Sequence, residues 1–194
     1  TDHADLEKYH EGLIIASACL GGEVPQHVLN GRLDEAEKCI LWYRSIFGED
    51  YYLELQRHKT DKPNANTETI MHQEQVNPFL IEMSRKHGIK LIATNDSHFV
   101  NEEDAEAHDR LICVSMGKRF NDPTRMHYTK QEWFKSQEEM ESIFPDYPEA
   151  LVNTNEILDK VEFYSIDHAP IMPNFDIPAS FGTEDEYRSR ITEQ

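Results

Sequence analysis

Three short apolar segments, separated by segments of helical periodicity, restrict the possible folds of this chain most strongly. The apolar segments cover residues 12–19, 51–58 and 90–98, whereas residues 33–47 and 67–87 repeat apolar side chains every three or four positions. Strands that are joined through single helices form right-handed β-α-β units, in which the strands run parallel. The order therefore predicts an α/β fold with a parallel sheet or barrel.

Each predicted strand finishes in side chains that are able to bind a ligand. Cys19 ends the first strand, His58 ends the second, and Asp96 and His98 end the third. In parallel α/β folds, ligands bind at the carboxyl ends of the strands. Asp96 and His98 are two positions apart, so both would point to one face, where they could bind one Zn, Mn or Fe ion. Such pairs also arise by chance, and the alternative is that Asp96 caps a helix near residue 102 or makes a turn, while His98 is merely exposed.

Other strand residues have both a functional and a structural interpretation. Cys19 could be a thiolate ligand, although a buried cysteine more often behaves as a small apolar side chain. Glu54 and His58 lie four positions apart on one strand face and could either support the side chains that bind a metal or contact a substrate. Alternatively, Glu54 forms an ion pair with a lysine or arginine, and His58 is a surface residue. The sequence assigns no catalytic residue.

The second half of the chain is more acidic than the first and has a different pattern. Residues 101–194 hold 21 acidic and 9 basic side chains, in a chain whose net charge is −18. Affinity for phosphate groups needs clustered lysine and arginine, so this composition argues against unaided binding of nucleic acid or of an anionic membrane. Helices are predicted over residues 102–116, 136–144 and 148–161, followed by a proline-containing connector and a further helix starting near Thr183.

Cysteine usage and hydropathy indicate the compartment. Three irregularly spaced cysteines without a CxxC pair fit a reducing cytosol better than a disulfide framework. No apolar segment approaches the roughly 20 residues that span a bilayer, and no secretory leader is recognisable. We therefore expect a cytoplasmic protein that does not bind membranes. Because the first residue is Thr1 rather than Met, we expect a processed chain or a fragment.

Six segments carry specific motifs, namely Leu-Ile-Ile-Ala-Ser-Ala-Cys-Leu-Gly-Gly-Glu (13–23), Tyr-Leu-Glu-Leu-Gln-Arg-His (52–58), Ile-Ala-Thr-Asn-Asp-Ser-His (92–98), Glu-Asp-Ala-Glu-Ala-His (103–108), Phe-Pro-Asp-Tyr-Pro-Glu-Ala-Leu-Val-Asn-Thr-Asn (144–155) and Met-Pro-Asn-Phe (172–175). The first four together resemble the PHP (polymerase and histidinol phosphatase) domain of the bacterial DNA polymerase III alpha subunit, and the last two also resemble parts of that subunit. The resemblance implies a partial PHP-type distorted β/α barrel with parallel strands, followed by a helical segment and a connector.

The resemblance also implies a metal site at the carboxyl ends of the strands. Asp96 and His98 match the last ligand motif of the family, and Cys19 matches the strand that ends in Ser-Ala-Cys. The earlier motifs of the family, His-x-His, Asp-His-Gly and a following glutamate strand, are absent. We therefore expect residues 1–165 to be the carboxyl-terminal part of a PHP domain with an incomplete site, and residues 166–194 to lead toward the polymerase palm.

The function implied by the resemblance is that of a fragment of a DNA-directed DNA polymerase, a nucleotidyltransferase of DNA replication. A divalent metal (Zn, Mn or Mg) in the intact domain would support phosphoester hydrolysis, which in this family is sometimes a 3′–5′ exonuclease. Three ligands cannot hold a multi-metal cluster, so the chain alone is expected to be inactive. Its expected partners are the rest of the polymerase subunit and other replicase subunits, with DNA bound only through the parent protein. The alternatives are a docking module with an acidic surface and, less well supported, a standalone metal-dependent phosphoesterase.

Overall fold

The computed structural model describes residues 2–171, 176–177, 180 and 182–192. It divides the chain into two compact units, Thr1–Val161 and Glu162–Gln194. The predicted boundary between residues 165 and 166 stays a prediction. Among the described residues, no helix combines the length and the apolar character needed to cross a membrane.

The first unit contains a parallel three-stranded sheet, which confirms the predicted α/β class. The strands are β1 (Ile15–Ala16), β2 (Tyr51–Leu55) and β3 (Leu91–Ala93), in the order β1-β2-β3. All three are shorter than predicted, because residues 12–14, 17–19, 56–58, 90 and 94–98 lie outside the regular strands. Four of the five β2 side chains are at most 1% exposed, so elements cover both faces of the strand and its pattern is continuous burial rather than alternation.

Eight α-helices are present in the described residues. Those predicted near residues 33–47, 67–87, 102–116, 136–144, 148–161 and from 183 are confirmed, whereas α1 and α2 were not predicted. The helices are α1 (His3–Lys8), α2 (Glu23–Leu29), α3 (Leu33–Phe47), α4 (Thr67–His87), α5 (Ala105–Met116), α6 (Gln137–Ile143), α7 (Pro148–Lys160) and α8 (Glu184–Thr192). Short 3-10 turns at Gly48–Asp50 and Glu102–Asp104 precede β2 and α5.

Local sequence signals set the ends of several helices. Ser136 and Glu139 form the predicted capping box at the start of α6, and Pro148 is at the first turn of α7. Gly88 ends α4 with a φ of 63°, a left-handed conformation that glycine adopts at little cost. Pro78 lies inside α4 without dividing it.

Apolar burial joins the helices to the sheet. Side chains of β2 pack with α3, α4 and the start of α7 around Leu53, Ile40, Leu80 and Phe144, each of which is almost fully buried. Polar contacts attach the carboxyl end of α7 to the same sheet, since Lys160 Nζ donates to the Tyr52 hydroxyl at 2.8 Å. The core therefore lies between the sheet and its helices, and it holds the carboxyl ends of the strands in fixed positions.

In the second unit, α8 is the regular element of the described residues. Its start follows the predicted pattern: the Thr183 N–H donates to Glu186 Oε2 at 2.7 Å, and the Glu186 N–H donates to Thr183 Oγ1 at 3.4 Å. Residues 162–171 form no helix or strand. The motif at residues 172–175, which contributed to the resemblance, lies outside the described residues.

Candidate functional site

The three strand ends that the sequence singled out lie at one edge of the sheet, because the strands are parallel. Ser17, Ala18 and Cys19 follow β1, Gln56 to His58 follow β2, and Thr94 to His98 follow β3. The polar side chains that end the strands therefore gather on one side of the first unit, which is where parallel folds bind ligands.

Asp96 and His98 come together at this edge. Asp96 Oδ1 lies 3.5 Å from His98 Nε2, and each side chain is about one third exposed. A turn brings them together, not strand alternation, because β3 ends at Ala93 and Asp96 has a left-handed φ of 45°. The alternative role for Asp96 as a helix cap is wrong, since Asn101 and Asp104 form the capping box of the turn before α5.

The distance between these two groups suits a shared divalent metal. Donors bound to one tetrahedral Zn²⁺ at about 2.1 Å lie roughly 3.4 Å from each other. A carboxylate and an imidazole are also a donor pair that Zn and Mn accept. Within the part of the chain that the structure describes, however, no three His, Cys, Asp or Glu side chains are grouped to hold one metal ion. The geometry therefore offers two ligands, Asp96 and His98.

Cys19 is a partly buried free thiol at the end of β1. It lines a small cavity together with Glu54 and Gln56. It is not grouped with Asp96 and His98 as a third ligand, and its place in a metal site stays a prediction.

Two aromatic side chains that the sequence did not assign to the site surround the His98 ring. The Tyr128 ring centroid is 4.6 Å from that of His98, and the His108 centroid is 5.9 Å away. Tyr128 and His108 also pack edge to face at 5.1 Å. These contacts restrict the orientation of the His98 imidazole. His108 reaches this position from the first half of α5 (Ala105–Met116).

The pKa of the Tyr128 hydroxyl is affected by two of the predicted ligands, Asp96 and Cys19. Burial raises the pKa of its hydroxyl, and the negative charges of Asp96, Glu132 and Cys19 raise it further. Burial also lowers the pKa of His108, with a smaller contribution from neighbouring His98. Tyr128 therefore lies within electrostatic range of both Cys19 and Asp96.

His58 belongs to a buried polar network beneath the site rather than to the surface. Its side chain is 2% exposed, its Nε2 lies 3.0 Å from the Asn95 carbonyl, and Gln73 Nε2 lies 3.1 Å from its Nδ1. Because Gln73 donates to Nδ1, these bonds assign the proton to Nε2 of a neutral ring. Burial lowers the pKa of His58, which agrees with the neutral form. The surface interpretation of His58 is wrong, and both ring nitrogens are engaged within the protein.

Glu132 is the acidic member of this network. Its Oε1 lies 3.6 Å from His58 Nδ1 and accepts hydrogen bonds from the N–H and hydroxyl of Thr129 at 2.8 and 2.6 Å. Its Oε2 accepts from the Gln131 N–H at 2.9 Å. These three hydrogen bonds to the carboxylate hold residues 129–132 in a tight loop.

This loop holds the backbone that carries Asp96 and His98. The carbonyl of Glu132 accepts from the His98 N–H at 2.7 Å. The Asn95 side chain donates to the carbonyls of Gln131 and Trp133 at 2.8 and 2.7 Å. Two segments more than 30 residues apart are therefore fastened together on both sides of Asp96.

Glu54 joins the ends of the strands to each other. Its Oε1 accepts from Gln56 Nε2 at 3.0 Å and from the Thr94 hydroxyl, and its N–H donates to Ser17 Oγ at 2.9 Å. Among the described residues it has no lysine or arginine partner, so the predicted ion pair is wrong. Its bonds make it a support for the edge of the sheet.

A buried ion pair positions the segment that carries Tyr128. Asp109 of α5 and Arg125 form a two-point pair, in which Nη2 lies 2.8 Å from Oδ2. Burial opposes ionisation of Asp109, but the bonds to Arg125 hold its pKa below the ordinary value. Arg125 Nε also donates to the Phe120 carbonyl at 2.8 Å. This pair fixes residues 120–126 against α5, three residues before Tyr128.

Comparisons with known proteins agree with the resemblance. Residues 1–58 match the PHP domain family, a region that includes Cys19 and ends before Asp96. The DNA polymerase III subunit alpha of Borreliella burgdorferi is 44% identical over 98% of this chain and 16% of its own length. The subunits of Treponema pallidum (36%, 94% of this chain, 15% of theirs) and Campylobacter jejuni (39%, 88%, 14%) are also similar. The chain spans about one sixth of the length of these curated relatives.

Proposed function

This chain is a relative of the bacterial DNA polymerase III alpha subunits and carries part of a PHP domain, and we propose that it serves as the metal-binding portion of such a subunit. The observation that supports this most strongly is 44% identity to one alpha subunit across 98% of the chain. On this proposal, the DNA-directed DNA polymerase activity belongs to the longer protein, in the cytoplasm. The rest of the subunit and the other replicase subunits are the partners, and DNA is bound only through the parent protein.

We propose Asp96 and His98 as two ligands of a divalent metal, which is Zn, Mn or Mg, and Cys19 as a third. The distance of 3.5 Å between Asp96 Oδ1 and His98 Nε2 and the partial exposure of both side chains support these two as a pair of ligands. A bound metal would polarise a phosphodiester and activate water. The chain itself orients the His98 ring through Tyr128 and His108, and it fixes the loop through Glu132 and Asn95.

Zinc binding by the purified chain tests this assignment directly. We expect Asp96→Ala and His98→Ala each to weaken Zn²⁺ affinity at least tenfold, measured by competition with a chromophoric chelator. Asp61→Ala and His72→Ala are the matched controls, since neither side chain has a hydrogen bond or an ion pair among the residues that the structure describes. Cys19→Ala against Cys113→Ala tests the third ligand. Equal affinity in the wild-type and the Asp96→Ala chain would overturn the proposed pair.

The chain alone is proposed to lack useful hydrolase activity, since two or three ligands cannot hold a multi-metal cluster. We expect no hydrolysis of a 3′-end-labelled primer with Mn²⁺ or Zn²⁺. Hydrolysis that is abolished by Asp96→Ala would contradict this expectation and would favour a standalone phosphoesterase.

Docking through an acidic surface is a second candidate function. The helices α6 and α7 carry exposed carboxylates that have no ion-pair partner in the described part of the chain, at Glu138, Glu141, Glu149 and Asp159. A basic protein surface would complement them, and its binding would weaken with salt. The test is surface plasmon resonance against the separately produced remainder of an alpha subunit. Binding that is unchanged in E138Q/E141Q/E149Q would reject this role for the surface.

A further inference from the structure

A cleft of about 800 Å³ lies beside the carboxyl end of β2, between α4 and the junction of α6 with α7. Neither Asp96 nor His98 lines it, so it is separate from the proposed metal site. Its volume is within the range of small-molecule sites, and polar side chains together with a few apolar ones line it.

Two cationic side chains that have no partner among the described residues line this cleft. Lys59 and Arg85 are exposed, and within the part of the chain that the structure describes neither side chain forms an ion pair or a hydrogen bond, although the chain carries 37 acidic residues. Arg57 also lines the cleft, but Asp146 holds its guanidinium at 2.6 and 2.8 Å and offsets its charge. Glu74 is the acidic side chain in the lining. The cleft therefore has a positive balance in a strongly acidic chain, and it attracts an anion.

The same cleft offers a flat and apolar wall. Ile70, Pro78 and Ile81 of α4 form one side. On the other side the Arg57 guanidinium lies over the ring of Tyr147, at 5.5 Å from its centroid. A guanidinium and an aromatic ring are both surfaces on which a planar group stacks. A molecule that combines a charged group with a planar apolar group would use both features.

The wall formed by α4 is fixed before any ligand arrives. Gln73 Oε1 accepts from the His58 N–H at 2.9 Å, and Asn77 Nδ2 donates to the Gln56 carbonyl at 2.9 Å. Both amide side chains are buried, so they attach the inner face of α4 to the end of β2. A preformed wall lowers the entropic cost of binding.

We infer that this cleft binds a small phosphate-bearing molecule with a planar group, of the size of a nucleoside monophosphate. Lys59 and Arg85 would contact the phosphate, and the Arg57–Tyr147 wall would contact the planar group. A cleft of this volume encloses a molecule of nucleotide size, whereas a protein partner would make most of its contacts outside it. The inference does not depend on the proposed metal site or on polymerase activity.

The test is isothermal titration of the purified chain with dAMP, deoxyadenosine and inorganic phosphate, each without metal. We expect dAMP to bind more tightly than either part alone. The double variant Lys59→Gln/Arg85→Gln should weaken dAMP binding by about tenfold or more, because it removes both cations that would contact the phosphate. The control is Arg32→Gln/Arg119→Gln, which removes two exposed cations outside the cleft and should leave the affinity within about twofold.

Four results would overturn the inference. The first is no binding of dAMP by the wild-type chain, and the second is equal weakening by the cleft and control variants. The third is loss of dAMP binding in Asp96→Ala, which would place the molecule at the proposed metal site. The exchange variant Lys59→Arg/Arg85→Lys keeps both charges and should bind dAMP, so its failure would also contradict a charge-based site. Circular dichroism of each variant confirms folding, as the substituted side chains are exposed.

Discussion

Two regions of the first unit are stabilised by different interactions. One is the sheet with its covering helices, and the other is the loop segment, residues 94–135, which includes α5. The sheet buries continuous apolar side chains, among them Leu53 and Leu55, which have no exposed surface. The loop segment buries polar side chains instead, including Glu132, Thr129 and Arg125. The proposed ligands Asp96 and His98 belong to the second region. The residues that could bind a metal thus lie in the region whose conformation depends on buried polar contacts between residues that are far apart in the sequence.

This difference predicts that breaking one buried polar pair disturbs the loop segment more than the sheet. Asp109→Ala leaves the buried Arg125 guanidinium without its carboxylate, and such a loss typically costs about 3–5 kcal/mol. We expect the largest loss of hydrogen-exchange protection in residues 118–133, with protection in β2 kept. The measurement is hydrogen exchange followed by mass spectrometry, with urea unfolding for the total stability.

The control on the same helix is Glu106→Ala, which removes an exposed partner of Lys130. Lys130 is only 13% exposed, but the Glu106 carboxylate is 58% exposed and open to solvent, so the pair contributes about 1 kcal/mol and this variant should lose much less stability than Asp109→Ala. Equal effects of the two substitutions would mean that the loop segment does not depend on the buried pair.

The converse substitution is in the sheet. Leu53→Ala removes a fully buried side chain and should cost about 2–5 kcal/mol of unfolding free energy. Protection should fall throughout the first unit, because the core joins the sheet to α3, α4 and α7. Leu41→Ala, at a position 42% exposed on α3, is the control and should cost about 0.5 kcal/mol or less. A local effect of Leu53→Ala would contradict the shared core.

A smaller effect is expected where the two regions meet. Glu132→Gln keeps the size of the side chain but weakens its acceptance of three hydrogen bonds, so we expect a loss of about 1–3 kcal/mol. It should also weaken Zn²⁺ binding, since residues 129–132 hold the backbone of His98. Glu138→Gln on the surface of α6 is the control. Lower stability with unchanged Zn²⁺ affinity would show that the loop does not position the proposed ligands.

The sequence was informative about the sheet region and much less so about the loop segment. Apolar periodicity and end signals are local, so they predicted α3, α4 and α7 within one or two residues. Helix α2 was missed because it is short, follows two glycines and contains Pro25 in its first turn. The spacing of two positions predicted correctly that the Asp96 and His98 side chains lie close together. The reason was wrong, because a turn after β3 brings them together rather than the alternation of a strand.

The remaining parts of the site depend on contacts that no local pattern encodes. Tyr128 and Glu132 are about 30 residues from His98, in a segment without periodicity. Their approach depends on backbone bonds between loops and on the Asp109–Arg125 pair. Buried polar networks of this kind are specified by three-dimensional fit, so a linear sequence reveals the residue types but not their partners.

The smallest expected effect concerns His58, whose side chain follows β2 and contacts residues 94–98 through Asn95 and residues 129–132 through Glu132. Burial lowers its pKa below the ordinary 6.5, while Glu132 opposes this shift in part. The unfolded chain therefore binds a proton more readily than the native one as pH falls through about 6.5. The stabilisation is complete above that pH and is lost progressively below it. Between pH 7.5 and 5.5 the wild type should lose about 1 kcal/mol more unfolding free energy than His58→Gln.

Urea unfolding at the two pH values measures this difference, and His72→Gln controls for the titration of other histidines. That variant should follow the wild-type pH dependence, because His72 has no bond in the network. A wild-type chain that is equally stable at both pH values, or as pH-sensitive as His58→Gln, would mean that His58 is not held neutral. The buried His58 imidazole would then tolerate a positive charge. The apolar sheet and the polar loop segment would accordingly differ less at His58, where the two regions meet.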